Sequence, residues 1–204
     1  PPSYSDLIES ADPLELASTE IISINVYDSV GINQVLIEIE GINYTMANIG
    51  GDTWQYDVWT PSSIGTYPYT IFMEDMNNNW NSVSESIEVV DSTPPSYSNL
   101  VESADPLELG TTEIIEIDIF DISGINHVLI EIEGINYTMV NIGEDTWQYD
   151  AWTPSSTGTY SYTIYMEDMN NNWNSIVDSL TVVDNVPPSY SDLIESADPL
   201  ELAS

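Results

Sequence analysis

Apolar and polar residues alternate with a period of two over several short stretches of this chain. Residues 20–27 place Ile22, Ile24 and Val26 on one side and Ser23 and Asn25 on the other. Residues 113–120 do the same with Ile115, Ile117 and Ile119 against Glu116 and Asp118. A period of two is the signature of a strand with one buried face. Residues 34–40 set Val35, Ile37 and Ile39 inward and Glu38 and Glu40 outward. Residues 66–73 put Tyr67, Tyr69, Ile71 and Met73 on one side. Residues 4–10, 43–47, 53–59 and 82–90 complete about seven predicted strands, and the Asn-Ile-Gly-Gly-Asp run at 48–52 predicts a turn. No stretch shows a helical period. Seven short strands within about 90 residues predict an all-β, two-sheet sandwich.

The same pattern then begins again. PPSYSDLIESADPLEL starts at Pro1, PPSYSNLVESADPLEL at Pro94, and the first version returns at Pro187. The offsets are 94 − 1 = 93 and 187 − 94 = 93, and 24 of the 93 paired positions differ between the first two copies. Residues 187–204 are identical to residues 1–18. A 93-residue period is far longer than a solenoid unit and suits one sandwich domain. The expected organisation is a domain over 1–93, a second over 94–186, and the first strand of a third repeat, or an inter-subunit donor segment, over 187–204. The joints at 91–95 and 184–188 each end in Pro-Pro, which is stiff and extended. The Pro1-Pro2 opening reads as one more such joint in a longer protein, with no signal peptide or membrane span.

Two runs carry a family resemblance. Gly65-Thr66-Tyr67-Pro68-Tyr69, leading to Glu74-Asp75, resembles the penultimate strand of immunoglobulin-like and fibronectin-III-like repeats, which often carry Gly-x-Tyr-x-Tyr before an Asp- and Asn-rich hairpin. Val89-Val90-Asp91-Ser92-Thr93-Pro94-Pro95 resembles the Asp-Thr-Thr-Pro-Pro joint between such repeats in prokaryotic surface proteins. Acidic arrays of this kind are similar to archaeal cell-surface and extracellular fibre proteins. The resemblance spans both full repeats and implies tandem seven-stranded Ig-like sandwiches, secretion, and a spacing or adhesive role. It implies no ligand. The Cys-Trp-Cys core of antibody domains is absent.

Charge narrows the function further. The chain has 35 Asp plus Glu, no Lys or Arg, and a formal net charge of −35. Phosphate contacts need Lys or Arg, so nucleic acid is excluded as a partner. Anionic membrane surfaces repel the chain, and no membrane insertion is expected in this segment. With no Cys there are no disulfides or thiolate metal sites. Hydrophobic residues at 42% are enough for a core, so an acidic skin on a folded domain is expected rather than disorder. Uncompensated carboxylates repel one another unless salt or divalent cations intervene, which points to an extracellular or cell-surface medium.

The candidate cation ligands sit in Glu74-Asp75-Met76-Asn77-Asn78-Asn79 and its twin at 167–172. Asp75, Asn77 and Asn79 alternate as oxygen ligands of calcium do, and so do Asp168, Asn170 and Asn172. The run is too short for an EF-hand, so help is expected from the joints: Asp91, Asp184, Glu102 or Asp105. Ca2+ is favoured over Mg2+. The alternative is a hairpin whose Asp and Asn residues only stabilise turns. Asn43-Tyr44-Thr45 and Asn136-Tyr137-Thr138 are N-glycosylation sequons at equivalent positions. Trp54, Tyr56, Trp59 and Trp80 form either a sugar-binding platform or packing aromatics. His127, the single histidine, aligns with Gln34 and is expected to be an ordinary surface strand residue. No Ser-His-Asp set exists in repeat 1, and Glu38 with Glu40 reads as a solvated face, so no enzyme is expected.

The expected function is a non-catalytic structural array, a filament, stalk or surface-layer component stiffened by divalent cations. Its partners would be neighbouring copies of the same repeat, in a homopolymer or a giant tandem chain, together with cations and glycans. The alternatives are an adhesin or carbohydrate-binding module, and a protomer polymerised by strand addition through 187–204.

Overall fold

A computed structural model of the chain describes residues 1–191. The predicted segment 187–204 therefore lies, from residue 192 on, outside the described residues. The first repeat holds nine strands: β1 (Ser3–Glu9), β2 (Leu14–Glu15), β3 (Glu20–Tyr27), β4 (Ile32–Ile39), β5 (Ile42–Thr45), β6 (Ala47–Gly50), β7 (Thr53–Trp59), β8 (Gly65–Asp75) and β9 (Trp80–Val90). One sheet runs β1-β3-β7-β6, and the other runs β2-β9-β8-β4-β5. These are the two layers of an immunoglobulin-like sandwich.

The second repeat copies this with β10 (Ser96–Glu102), β11 (Leu107–Glu108), β12 (Glu113–Phe120), β13 (Ile125–Ile132), β14 (Ile135–Thr138), β15 (Val140–Gly143), β16 (Thr146–Trp152), β17 (Gly158–Asp168) and β18 (Trp173–Val183). Its sheets run β10-β12-β16-β15 and β11-β18-β17-β13-β14. No helix among the described residues is long and apolar enough to cross a membrane.

The alternating stretches became the core. In the first repeat Ile22, Ile24 and Val26 from one sheet meet Val35, Ile37, Ile39, Ile71 and Met73 from the other, all at most 1% exposed. Among all the buried apolar positions of the described residues, only two differ between the repeats, Val26 against Ile119 and Ile87 against Leu180. Both are near-conservative changes of volume, the kind a packed interior tolerates.

Two elements depart from the seven-strand expectation. The predicted turn at 48–52 is mostly strand: β6 pairs with β7, Ala47 opposite Gln55 and Asn48 opposite Trp54, and the reversal is confined to Gly51-Asp52. Glycine content hid an edge strand. The other addition, β2, is two residues long and pairs in parallel with β9, Leu14 opposite Val89 and Glu15 opposite Val90. Strands that short carry no readable period.

The β4–β5 hairpin turns on Glu40 and Gly41 alone, at φ 53° and 76°. Positive φ at both centres is what a two-residue hairpin demands. Gly41 accepts it freely, whereas Glu40 is strained there. The Trp59 indole N–H donates to the Glu40 carboxylate at 3.0 Å and holds it in place.

The chain forms two compact units. The first comprises residues 1–96 together with 119–127 and 166–174. Among the described residues, the second comprises 97–118, 128–165 and 175–191. The joint at 91–95 belongs to the first unit, as do two loops of the second repeat.

Packing sets a contrast that mutagenesis can read. Ile37→Ala, at a fully buried position, is expected to cost about 2–5 kcal/mol. Ile42→Ala, at a position 53% exposed, is expected to stay within about 0.5 kcal/mol. Urea unfolding midpoints of the two variants check this.

Candidate functional site

The Asp75 loop closes on itself. Asp75 is 2% exposed, yet its Oδ1 accepts the N–H groups of Asn77 at 2.8 Å and Asn79 at 2.9 Å, and its Oδ2 accepts the Asn79 amide at 2.8 Å. Asn78 takes φ 61° to let the chain turn back. In the second repeat Asp168 is held the same way by Asn170 and Asn172, at 2.7–2.8 Å. The Asn79 and Asn172 side chains thus present N–H donors to the aspartates rather than ligand oxygens beside them. Burial raises the pKa of Asp75, and the hydrogen bonds from Asn79 and Asn77 outweigh it, so the group titrates below the ordinary range.

The joint meets this second loop within the first compact unit. Asp91 Oδ2 accepts the Asn170 amide at 2.7 Å, and its backbone carbonyl accepts the Asn172 amide at 3.0 Å. Asp121 arrives from the loop after β12, its Oδ1 accepting the Ser123 N–H at 2.8 Å and hydroxyl at 2.7 Å. One carboxylate oxygen each from Asp91, Asp121 and Asp168 lies within 4.8 Å of the others. A hollow of about 510 Å³ opens beside Asp91 and Asn170, walled by Ile64, Thr66, Glu88 and Val90. Burial again raises the pKa of Asp91, and hydrogen bonds from Ser123, Asn170 and the Thr93 N–H bring it below the usual value.

The other side of the joint is tied down as well. Glu15 on β2 accepts the Ser92 N–H at 2.9 Å, the Ser92 hydroxyl at 2.7 Å and the Thr93 hydroxyl at 2.9 Å. The hydrogen bonds from Ser92 hold Glu15 below its ordinary pKa. Beyond it, the Pro95 carbonyl accepts the Asn174 amide at 2.8 Å. Four of the five joint residues are thus fixed, Ser92 and Thr93 by Glu15 and Asp91 and Pro95 by Asn170, Asn172 and Asn174.

Of the predicted ligands, Asp91 and Asp168 come together, and Asp121 joins them. Sequence reading missed Asp121 because it follows a strand with no Asn-rich run to mark it. Its counterpart Asp28 at the same offset was the available signal. Glu102 and Asp105, expected to pair with Asp91, are engaged elsewhere. Glu102 accepts the Tyr162 hydroxyl at 2.7 Å, and Asp105 accepts the Thr181 N–H at 2.9 Å. Asp184, the repeat-2 counterpart of Asp91, accepts the Val186 N–H at 3.2 Å.

The aromatics do not form a platform. Trp59 is 5% exposed and Tyr56 6%, Trp54 packs against the core, and only Trp80, at 46%, is open to solvent. His127 does more than decorate a strand. Its Nδ1 lies 2.9 Å from the buried Glu167 carboxylate, where Gln34 serves Glu74 at 2.8 Å in the first repeat.

No protein-family model matches the sequence, and no curated protein matches it. Among solved structures, the chain is similar to a tetra-tandem repeat from the extending region of a large adhesion protein. The identity is 18%, the TM-score 0.45, and the match covers 82% of this chain and 46% of that one. It is also similar to fibronectin(III)-like modules of Clostridium thermocellum CbhA, at 13% identity and TM-score 0.35, covering 92% and 100%. A bacterial ice-binding adhesin of 1.5 MDa gives 17% and 0.37, covering 88% and 66%. At these scores the likenesses decide nothing about what this chain binds.

Two predictions follow from these bonds. Glu9, which accepts the Tyr69 hydroxyl at 2.7 Å, is raised chiefly by burial, as is Glu102. A raised carboxyl adds stability that is complete below its unfolded pKa and is lost as pH rises through the folded value. The depressed groups Glu15, Asp91 and Asp118 add stability present above the unfolded value and lost as pH falls through the folded one. The melting temperature is therefore expected to rise from pH 7 toward about pH 5 and to fall below about pH 4. Glu9→Gln should flatten the rise. Separately, Glu15→Ala removes a charged acceptor worth about 1.5–3 kcal/mol per bond, and should speed hydrogen exchange of the Ser92 amide at least about tenfold.

Proposed function

We propose that this chain is a non-catalytic spacing array of an extracellular or surface-attached protein. Its joints are held by hydrogen bonds and further stiffened by a divalent cation at Asp91, Asp121 and Asp168. The observation that carries this reading is the joint itself. A flexible tether leaves its polar groups to water, whereas Asp91, Ser92, Thr93 and Pro95 are bonded by side chains of the repeats they connect. One of these bonds recurs at the 93-residue offset, since Glu108 accepts the Asn185 N–H at 2.8 Å as Glu15 accepts that of Ser92. Each repeat then needs only the same neighbour on either side, which suits a nearest-neighbour array.

The cation is supported by charge and geometry together. Three carboxylate oxygens converge in a chain without Lys or Arg. Hard cations take oxygen ligands at about 2.3–2.6 Å and complete their shell with carbonyls and water. The Asp91 carbonyl and the neighbouring hollow suit that need. Calcium tolerates such an irregular set, whereas magnesium demands near-ideal octahedral geometry, so calcium is the favoured ion.

At about 5 mM Ca2+, a site with a dissociation constant of about 10⁻⁴–10⁻³ M adds about 1–2 kcal/mol of stability. Thermal melts in low salt are expected to rise more with Ca2+ than with NaCl of matched ionic strength. Asp121→Asn with Asp168→Asn should erase the calcium-specific part. An equal response to any salt would mean screening alone and would sink the cation half of the proposal.

A further inference from the structure

We propose that Asn43 and Asn136 are acceptors of N-linked oligosaccharide, and that the glycan blunts the exposed edge strands β5 and β14. Asn43 and Thr45 lie on the same side of β5, since alternate residues of a strand share a face. Both are exposed, and so are Asn136 and Thr138 on β14. The residue between them turns the other way: Tyr44 packs on the core, its ring 5.2 Å from that of Tyr56, and Tyr137 sits 5.2 Å from Tyr149. The sequon thus displays its two required residues to solvent while its middle residue anchors the strand. Other asparagines of these repeats are committed to internal bonds, among them Asn33, Asn79 and Asn81, whereas no hydrogen bond engages the side chains of Asn43 or Asn136.

The edge supplies the independent reason. β5 and β14 are the last strands of their sheets. Ile42-Asn43-Tyr44-Thr45 carries no charge, and Ile42 is 53% exposed, as is Ile135 at 54%. An uncharged edge with an exposed isoleucine invites pairing with another chain, and the common remedy is a lysine on the edge. This sequence has no lysine. A bulky hydrophilic glycan on the outward side chain serves the same end.

The transfer joins the Asn Nδ2 to the sugar anomeric carbon and breaks that carbon's bond to the phosphate of a lipid-linked oligosaccharide donor. The amide proton leaves with the lipid phosphate.

The test is secretion of the full chain from a eukaryotic cell line, with intact mass and chymotryptic peptide mapping. The expected result is two glycan increments, one at each asparagine. Thr45→Ala and Thr138→Ala, which leave the asparagines in place, should each remove one increment, and the doubly substituted chain should self-associate at concentrations where the glycosylated chain stays monomeric. Unmodified peptides at both positions in the secreted, folded chain would overturn the site. Equal association with and without glycan would overturn the edge-blunting role.

Discussion

Every buried carboxylate in this protein must be stabilised without lysine or arginine. Burying a charge is costly unless it is hydrogen-bonded, and the usual solution is a cationic partner. Here the partners are amides, hydroxyls and backbone N–H groups, with His127 as the exception. Glu74 takes Asn33 and Gln34, Glu20 takes Ser10 and the Ala11 N–H, and Asp168 takes Asn170 and Asn172. Asparagine, which sequence reading treats as a turn residue or a ligand, is in this chain chiefly a donor to acids. Even so, Glu20 and Glu113 each keep one buried oxygen without a partner.

That constraint explains which parts of the structure were legible. The core was, because Ile22-Ile24-Val26 and Val35-Ile37-Ile39 announce their faces through a period of two, and the predicted 20–27 and 53–59 strands agree with β3 and β7 residue for residue. The edges were not. β6 hides in a glycine-rich run that reads as a turn, and β2 is too short for any periodicity. Both are fixed by tertiary pairing rather than by local sequence.

The site was legible in its components and not in their assembly. Asp91 and Asp168 stood out from charge, spacing and position near a joint. Nothing local distinguished Asp121 from other strand-end aspartates, and nothing local committed Glu102 to Tyr162. Those choices depend on which loop faces which joint, a property of the folded chain. His127 shows the same limit: alignment with Gln34 marked it as replaceable, and the structure sets each side chain against the equivalent buried glutamate of its own repeat, Glu167 and Glu74.

The short parallel pairing of β2 with β9 has a mechanical meaning. Leu14 and Glu15 lie near one end of the repeat's sequence, and Val89 and Val90 lie at the other. A tensile load drawn through the chain enters at one partner and leaves at the other. Because the strands run in the same direction, that load slides them past each other, and the ladder bonds resist in shear, together, instead of peeling open one after another. Leu107–Glu108 with Val182–Val183 repeats the arrangement. The second and last strands of each repeat thus form a clasp that such a load would meet in shear.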